Sequence, residues 1–196
     1  DFQRHHPGVR INLEYKRPEE VDRAVRASAC DLGIVSYPRR WPDVAVRPLR
    51  DERMSVACAP SHPLARRQQV RASQLDGLKM IGFDAGLPVA RHIRRYLKAE
   101  GVKTDFTQAL DNIDTLKSVL AISDAIAILP RRTVRSEVEA GTLAVVELEP
   151  ELTRPLGIIF SRRARLSPAA AAFCDFLVEN AEPDLPGVDT QVSLAS

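Results

Sequence analysis

The strongest constraint on this chain is an alternation. Continuous apolar runs of strand length take turns with segments whose apolar residues recur at helical spacing. "DLGIVSYP" (31–38) is one such run, and "AIAILP" (125–130), stopped by Pro130, is another. Runs of this kind suit strands buried on both faces, as in a parallel sheet. Between them, "PEEVDRAVRAS" (18–28) opens on Pro18, carries Glu19 and Glu20 in its first turn, and has an inner stripe of Val21, Ala24, Val25 and Ser28. Acids there suit the positive end of the helix dipole. Residues 89–100 predict a second helix, with Val89, Ile93 and Leu97 on one face and Tyr96 beside them. Residues 112–123 predict a third, with Ile113, Leu116, Val119 and Leu120 inward. A closing helix spans 167–180, where Ser167 caps, Pro168 takes the first turn, and Phe173, Phe176 and Leu177 pack. The alternation predicts an α/β protein with parallel sheets.

Further strands are expected at 44–49, 54–60, 79–84 and 104–110, and in "LAVVELE" and "PLGIIFS". "VRINLEY" (9–15) alternates, with Val9, Ile11, Leu13 and Tyr15 facing one way, and reads as a half-buried strand. The first forty residues then predict a right-handed strand–helix–strand crossover. "CAPSHPLARRQQV" (58–70) and "EPELTRP" (149–155) are proline-rich and polar. They are expected to be crossings between two lobes, against the alternative of one domain with two long loops. The expected division is 1–59 with 156–180 as one lobe and 60–155 as the other, followed by a tail at 181–196 without periodicity, expected to be disordered.

Several function classes find no support. With 28 basic against 26 acidic residues, net charge +2, the chain has no global field for nucleic acid or membrane. No apolar run approaches the roughly 18 residues of a membrane helix. Cys30, Cys58 and Cys174 are far apart and lack ligand spacing, so no metal is expected and all three read as reduced core residues. A redox pair would need the fold to bring two of them together. No G-x-S-x-G, P-loop or H-E-x-x-H is present, so no catalytic residue and no cofactor is expected. The basic residues of the 89–100 segment (Arg91, Arg94, Arg95 and Lys98, with His92) read as a solvated face. "RRTVR" (131–135) and "SRRAR" (161–165) read as surface clusters.

Five stretches in order then carry a resemblance: "HHPGVRINLEYKRPEEVDRAVRASACDLGIVSYP", "CAPSHPLARR", "GFDAGLPVARHIRRYLKAEGV", "DNIDTLKSVLAISDAIAILPRRTVRSEVEAGTL" and "LSPAAAAFCDFL". From about residue 2 to residue 178 the chain resembles the effector-binding domain of LysR-type transcriptional regulators. The resemblance implies a fold like that of type 2 periplasmic binding proteins, two Rossmann-like α/β lobes with an effector in the cleft between them. It implies a small metabolite as partner, anionic in one reading, and pairing into a homodimer or tetramer through the 18–29 helix and the strand before it. DNA would be contacted only through a winged helix-turn-helix joined by a linker helix, neither of which is in this sequence. RNA polymerase is a further contact that the resemblance admits, and the compartment implied is the cytoplasm. The family's usual first strand is also not in this sequence, and "DFQRHHPGV" matches the tail of its first helix. That strand is expected to have been cut off, left out of this sequence, or replaced by a partner's segment. A transport solute-binding protein of the same fold is the alternative, and an enzyme on this fold is a third reading.

In the two-lobe fold, "GFDAGLPV" (82–89) follows a strand end and points into the cleft. Pro88 suits the first helical position, yet Leu87 before it offers no oxygen to the free amides of a helix start. Phe83, Asp84, Gly86, Leu87 and Pro88 are therefore expected to line the effector site, with Arg91 leaning toward a bound anion. The competing reading has Asp84 capping the helix itself, with Gly86 allowing the bend. Ser36, at the end of its strand, would face the same cleft from the first lobe. Asn112, Ile113 and Thr115 open a helix that the resemblance also places there, although capping alone accounts for Asn112.

Overall fold

A computed structural model describes residues 1–181, and the expected tail lies almost wholly outside them. Helices α1 (Phe2–His5) and α2 (Pro18–Arg26) precede strands β1 (Gly33–Ser36) and β2 (Val44–Cys58). Strands β3 (Gln69–Arg71) and β4 (Lys79–Phe83), helix α3 (Pro88–Ala99), β5 (Asp105–Leu110), α4 (Ile113–Ala121) and β6 (Ile126–Pro130) follow. Helix α5 (Arg135–Glu139), β7 (Ala144–Ser161) and α6 (Pro168–Glu179) complete the described chain. The strands form one mixed sheet in the order β1-β7-β2-β6-β4-β5, with β3 attached to β7.

Two long strands replace the four short ones expected. β2 and β7 pair antiparallel from Val44 opposite Ser161 to Cys58 opposite Ala144. Pro48, Pro150 and Pro155 lie within them and suggest strand ends, because proline gives the ladder no N–H. The chain stays extended through them and shifts register instead, between Pro48 and Arg50 and between Met54 and Ser55. At the second shift Leu152 faces Met54 and Glu147 faces Ser55, while Leu148 and Glu149 pair with β3. Such bulges absorb extra residues without ending a strand. Among the described residues, parallel pairing is confined to β4 with β5, β4 with β6, and β3 with β7.

The strand expected over 9–15 does not form. These residues belong to no strand or helix, and Ile11, Leu13 and Tyr15 are 37, 69 and 92% exposed. Alternation marks a face but supplies no hydrogen-bond partner, and among the described residues β1 pairs only with β7. Without a neighbouring ladder the segment stays outside the sheet, and Val9 at its start is bonded back, its N–H donating to His6 O at 3.0 Å. Ile34 is 49% exposed for the same reason, so β1 is not buried on both faces. Ser28 is also outside the inner stripe of α2. It is exposed at φ 55, past the helix end.

Two clusters of buried side chains hold the sheet. Val25, Val35, Val44 and Ile159 make the smaller one, under α2. Gly33 lets α2 lie close there, since a Cβ would fall 2.5 Å from a Val21 methyl. The larger cluster joins β2 from Met54 onward to β4, β6, α3 and α4. Val89, Ala90, Ile93 and Leu97 bury the inner face of α3, and Leu116 and Leu120 bury that of α4. Each large side chain so buried contributes about 1.5–3 kcal/mol. Phe2 is 3% exposed and packs its ring edge-on against Phe173 and Phe176 of α6, docking the start of the chain. The Ser167 hydroxyl caps α6 by accepting from Ala170 N at 3.1 Å. The three cysteines are free thiols, and burial pushes the Cys58 thiol up to about 11.

Candidate functional site

β4 and β5 end together, with Phe83 opposite Leu110 and the Asp84 N–H donating to Leu110 O at 2.9 Å. The two turns that follow leave the sheet side by side and lead into α3 and α4. Two helix N-termini thus stand at the carboxyl ends of neighbouring parallel strands. Ligands of α/β sheets gather outside such ends, and amides at a helix start favour anions.

The two starts are finished differently. Asn112 Oδ1 accepts from Asp114 N at 2.8 Å and Thr115 N at 3.0 Å, a full side-chain cap. At α3, Leu87 provides no side-chain cap and Pro88 has no N–H. Asp84 does not cap α3 either. Its Oδ1 takes the Gly86 N–H at 2.9 Å and its carbonyl takes the Leu87 N–H at 2.9 Å, closing the turn on itself. Arg91 folds back over that turn, with Nη1 donating to Gly86 O at 3.1 Å. Of the expected site residues, Asp84, Gly86, Arg91, Asn112 and Thr115 are exposed around these starts. Leu87 and Ile113 rest partly on the core, Pro88 is half-buried, and Phe83 is a core residue at 7% exposure.

The facing side is built by β1. Ser36 ends it opposite Leu156 and is half-buried. Tyr37 follows at φ 54, in the left-handed region, held by its N–H donating to Pro155 O at 2.9 Å. A tyrosine there carries strain of order 1–3 kcal/mol. Its ring meets that of His92 on α3, with centroids 4.9 Å apart. His92 Nε2 lies 3.0 Å from Thr153 O on β7, so this residue turns inward rather than joining the solvated basic face of α3. Burial, and after it Arg95, pushes the imidazole below its ordinary value, against the pull of that carbonyl. Nearer solvent, Arg17 Nη2 donates to Asp111 Oδ2 at 2.5 Å, tying the start of α2 to the start of α4.

A charged cluster lies where β2 and β7 pair, with Glu52 opposite Arg154. Glu52 is 3% exposed. It accepts from Arg50 Nη2 at 2.9 Å and Nε at 3.2 Å, and from Arg154 Nη2. Burial pushes its carboxyl up, and the two guanidiniums outweigh burial and hold it below the usual range. Burial also pushes the Tyr37 phenol up to about 12, against the opposing charge of Arg154.

Sequence reasoning missed Arg17, Tyr37, Glu52, His92, Asp111 and Arg154 as members of this region. Tyr37 sits in the quoted run "DLGIVSYP", but nothing local marks it for a left-handed backbone. Glu52 and Arg154 are 102 positions apart and meet only through the β2–β7 register. The "RRTVR" cluster is also not all surface, since Arg131 is 9% exposed and bonded to Glu147. A cavity of about 440 Å³ opens away from the helix starts, between α2 and the 39–43 segment, where Arg26 lies 4.7 Å over the Trp41 ring.

A single sheet threaded by two long antiparallel strands, with two helix starts side by side at the ends of parallel strands, defines a mixed α/β domain of the type 2 periplasmic-binding-protein kind. The LysR substrate binding domain model matches residues 1–182, and the chain belongs to that family. It is 31% identical over 185 residues to the SDS degradation transcriptional activation protein of Pseudomonas sp. (strain ATCC 19151), covering 89% of this chain and 58% of the relative. It is 22% identical to the RuBisCO operon transcriptional regulator of Allochromatium vinosum, covering 92% of this chain and 60% of the relative. The chain thus spans about three fifths of the curated relatives it matches. The regulatory domain of Synechocystis PCC6803 CcmR, solved in complex with 2-PG, superposes with a TM-score of 0.82 at 21% identity, over 93% of this chain and 89% of that one. The effector binding domain of QuiR, in complex with shikimate, superposes with a TM-score of 0.80 at 19% identity, over 91% and 85% of the two chains. No helix among the described residues is long and apolar enough to cross a membrane.

Proposed function

We propose that this chain senses a small metabolite for a LysR-type regulator and passes the signal to DNA-binding domains elsewhere in the protein. The effector sits between a lobe of residues 1–59 and 156–180 and a lobe of 60–155, with β7 running through both. Ser36 lines it from one side, and the 84–88 turn, Arg91, Asn112 and Thr115 from the other. The observation that carries this reading is the pair of helix starts beside each other, one of them without a side-chain cap, with Tyr37 after β1 in ring contact with His92 of α3. Binding there shifts the angle between lobes only through unequal affinity for the two arrangements. An acid group on the effector is supported by the positive end of α3, which has no side-chain cap, and by shikimate, the ligand of the QuiR domain.

The domain pairs with a second copy through α2 as a homodimer or tetramer, works in the cytoplasm, reaches DNA and RNA polymerase only through the assembled regulator, and carries out no reaction. The test is a thermal-shift screen of small metabolites, acids included, followed by DNA-binding assays on the full regulator. A compound that raises Tm, loses that effect in Thr115→Val, and alters DNA binding supports the reading. Stabilisation by a compound that leaves DNA binding untouched would favour a solute-binding protein instead. An enzyme reading would rest on Asp84, and turnover of a bound compound that stops in Asp84→Asn would establish it.

A further inference from the structure

Among the described residues, four buried side-chain polar atoms have no hydrogen-bond partner within the chain: Tyr37 Oη, Trp41 Nε1, Ser55 Oγ and Arg154 Nε. Two of them belong to one place. Tyr37 is bonded through its N–H to Pro155, the neighbour of Arg154 on β7. The Tyr37 ring meets that of His92, whose Nε2 lies 3.0 Å from the carbonyl of Thr153, the neighbour of Arg154 on its other side. A buried donor left unsatisfied costs about 1–3 kcal/mol, so two in one cluster require an explanation.

The surrounding charge narrows that explanation. Glu52 is the carboxylate bonded to both Arg50 and Arg154, so one negative group answers two positive ones in a buried setting. Arg154 spends Nη2 on Glu52 and keeps Nε. Two donors beside surplus positive charge call for an acceptor that is itself negative. A water oxygen would take the hydrogen bonds but leave the charge unbalanced. The left-handed backbone at Tyr37 adds strain that holds the phenol in this position.

We infer that Tyr37 and Arg154 are the acid-binding pair of this chain: the phenol O–H and the guanidinium Nε–H donate together to one carboxylate or phosphate group of the effector. This rests on the reading of the interlobe cleft as the effector site and names the part of the ligand that site recognises. Both atoms are shut off from bulk water as the halves now stand, so the acid group reaches them when the halves part. The contacts that must give way on this side are the exposed Arg17–Asp111 pair and the Tyr37–His92 ring contact. Once the acid is held, it ties the end of β1 to β7.

The experiment labels the tyrosine rings with ¹³C and titrates the chain with inorganic phosphate and, separately, with acetate. Tyr37→Phe assigns the Tyr37 signals. The expected result is a saturable shift of those signals at millimolar probe, and the probe that gives it distinguishes phosphate from carboxylate. Calorimetry on Tyr37→Phe then shows affinity weaker by about tenfold or more, as loss of a hydrogen bond to a charged group implies. Tyr37→Phe keeps the ring and removes a partnerless hydroxyl, so it folds with unchanged or higher Tm. Arg154→Lys, which keeps the charge beside Glu52 and removes Nε, weakens binding similarly. Absence of a saturable shift with either probe, or equal affinity in Tyr37→Phe, overturns the pair. A metabolite that binds the cleft and moves DNA affinity while the Tyr37 signals stay fixed also overturns it, and leaves the effector reading standing. A shift at Tyr37 in a regulator whose DNA binding ignores every compound tested upholds the pair and overturns the effector reading.

Discussion

Arg17 and Asp111 lie 94 positions apart in the chain and 2.5 Å apart in the fold. One precedes α2 and the other precedes the cap of α4, so the pair ties two helix starts together. Both side chains are more than half exposed, at 66% and 56%.

An exposed pair of this kind is worth about 0–1 kcal/mol. Arg17→Ala and Asp111→Ala each lower stability by less than about 1 kcal/mol, with a coupling of about 0.5 kcal/mol in the double-mutant cycle. Urea denaturation of the four proteins measures this. A coupling well above 1 kcal/mol would mean that the pair is a structural lock rather than a clasp the lobes open easily.

Glu52 is the opposite case. Removing it leaves Arg50 and Arg154 without their carboxylate in a buried place, and breaking a buried pair costs about 3–5 kcal/mol. Glu52→Ala loses stability on that scale, whereas Glu151→Ala, at an exposed pair with Arg53, loses less than about 1 kcal/mol. Denaturant midpoints at neutral pH separate the two.

Glu52 also gives the acid limb a sign. Its folded pKa lies below the ordinary 4.5, so as the medium is acidified the unfolded chain takes up the proton first. The stabilisation is fully present above that ordinary value and is lost as pH falls through the folded pKa. Stability measured from pH 7 to pH 3 therefore declines at the acid end, and the decline is shallower in Glu52→Gln. Identical slopes in the two proteins would remove Glu52 from the account.

Asn112 separates capping from ligand contact. Asn112→Ala costs about 1 kcal/mol, the usual value of a lost cap, and Asn112→Ser restores it to within about 0.5 kcal/mol. If capping is its whole role, Asn112→Ser keeps full response to the effector. If the amide also touches the effector, stability returns and the response does not. Paired measurement of Tm and effector affinity reads both.

Much of this fold is legible locally. The inner faces of α3 and α4 follow from apolar spacing, and β4 and β6 from their apolar runs. The start of α6 follows from Ser167 and Pro168. These features depend on neighbours within a turn or two, which is the range over which periodicity and capping act. The oddity at Leu87–Pro88 was legible too: the residue cannot cap, and in the structure neither Leu87 nor Asp84 does.

What tertiary structure alone decided is pairing. "VRINLEY" has the alternation of a strand and stays outside the sheet, because a strand needs a neighbouring ladder and, among the described residues, β1 pairs only with β7. Pro48 and Pro155 read as strand ends, yet β2 and β7 run on through them, because each long strand holds the other extended and bulges take up the mismatch. Tyr37, Glu52 and Arg154 carry no local mark. The register of two strands about a hundred residues apart brings Arg154 against Glu52, and the bond from Tyr37 N–H to Pro155 O brings the end of β1 to the same stretch of β7. The sequence by itself determined which faces are apolar and where helices begin. Hydrogen-bond partners and buried charges come from distant segments, so only the folded chain determined them.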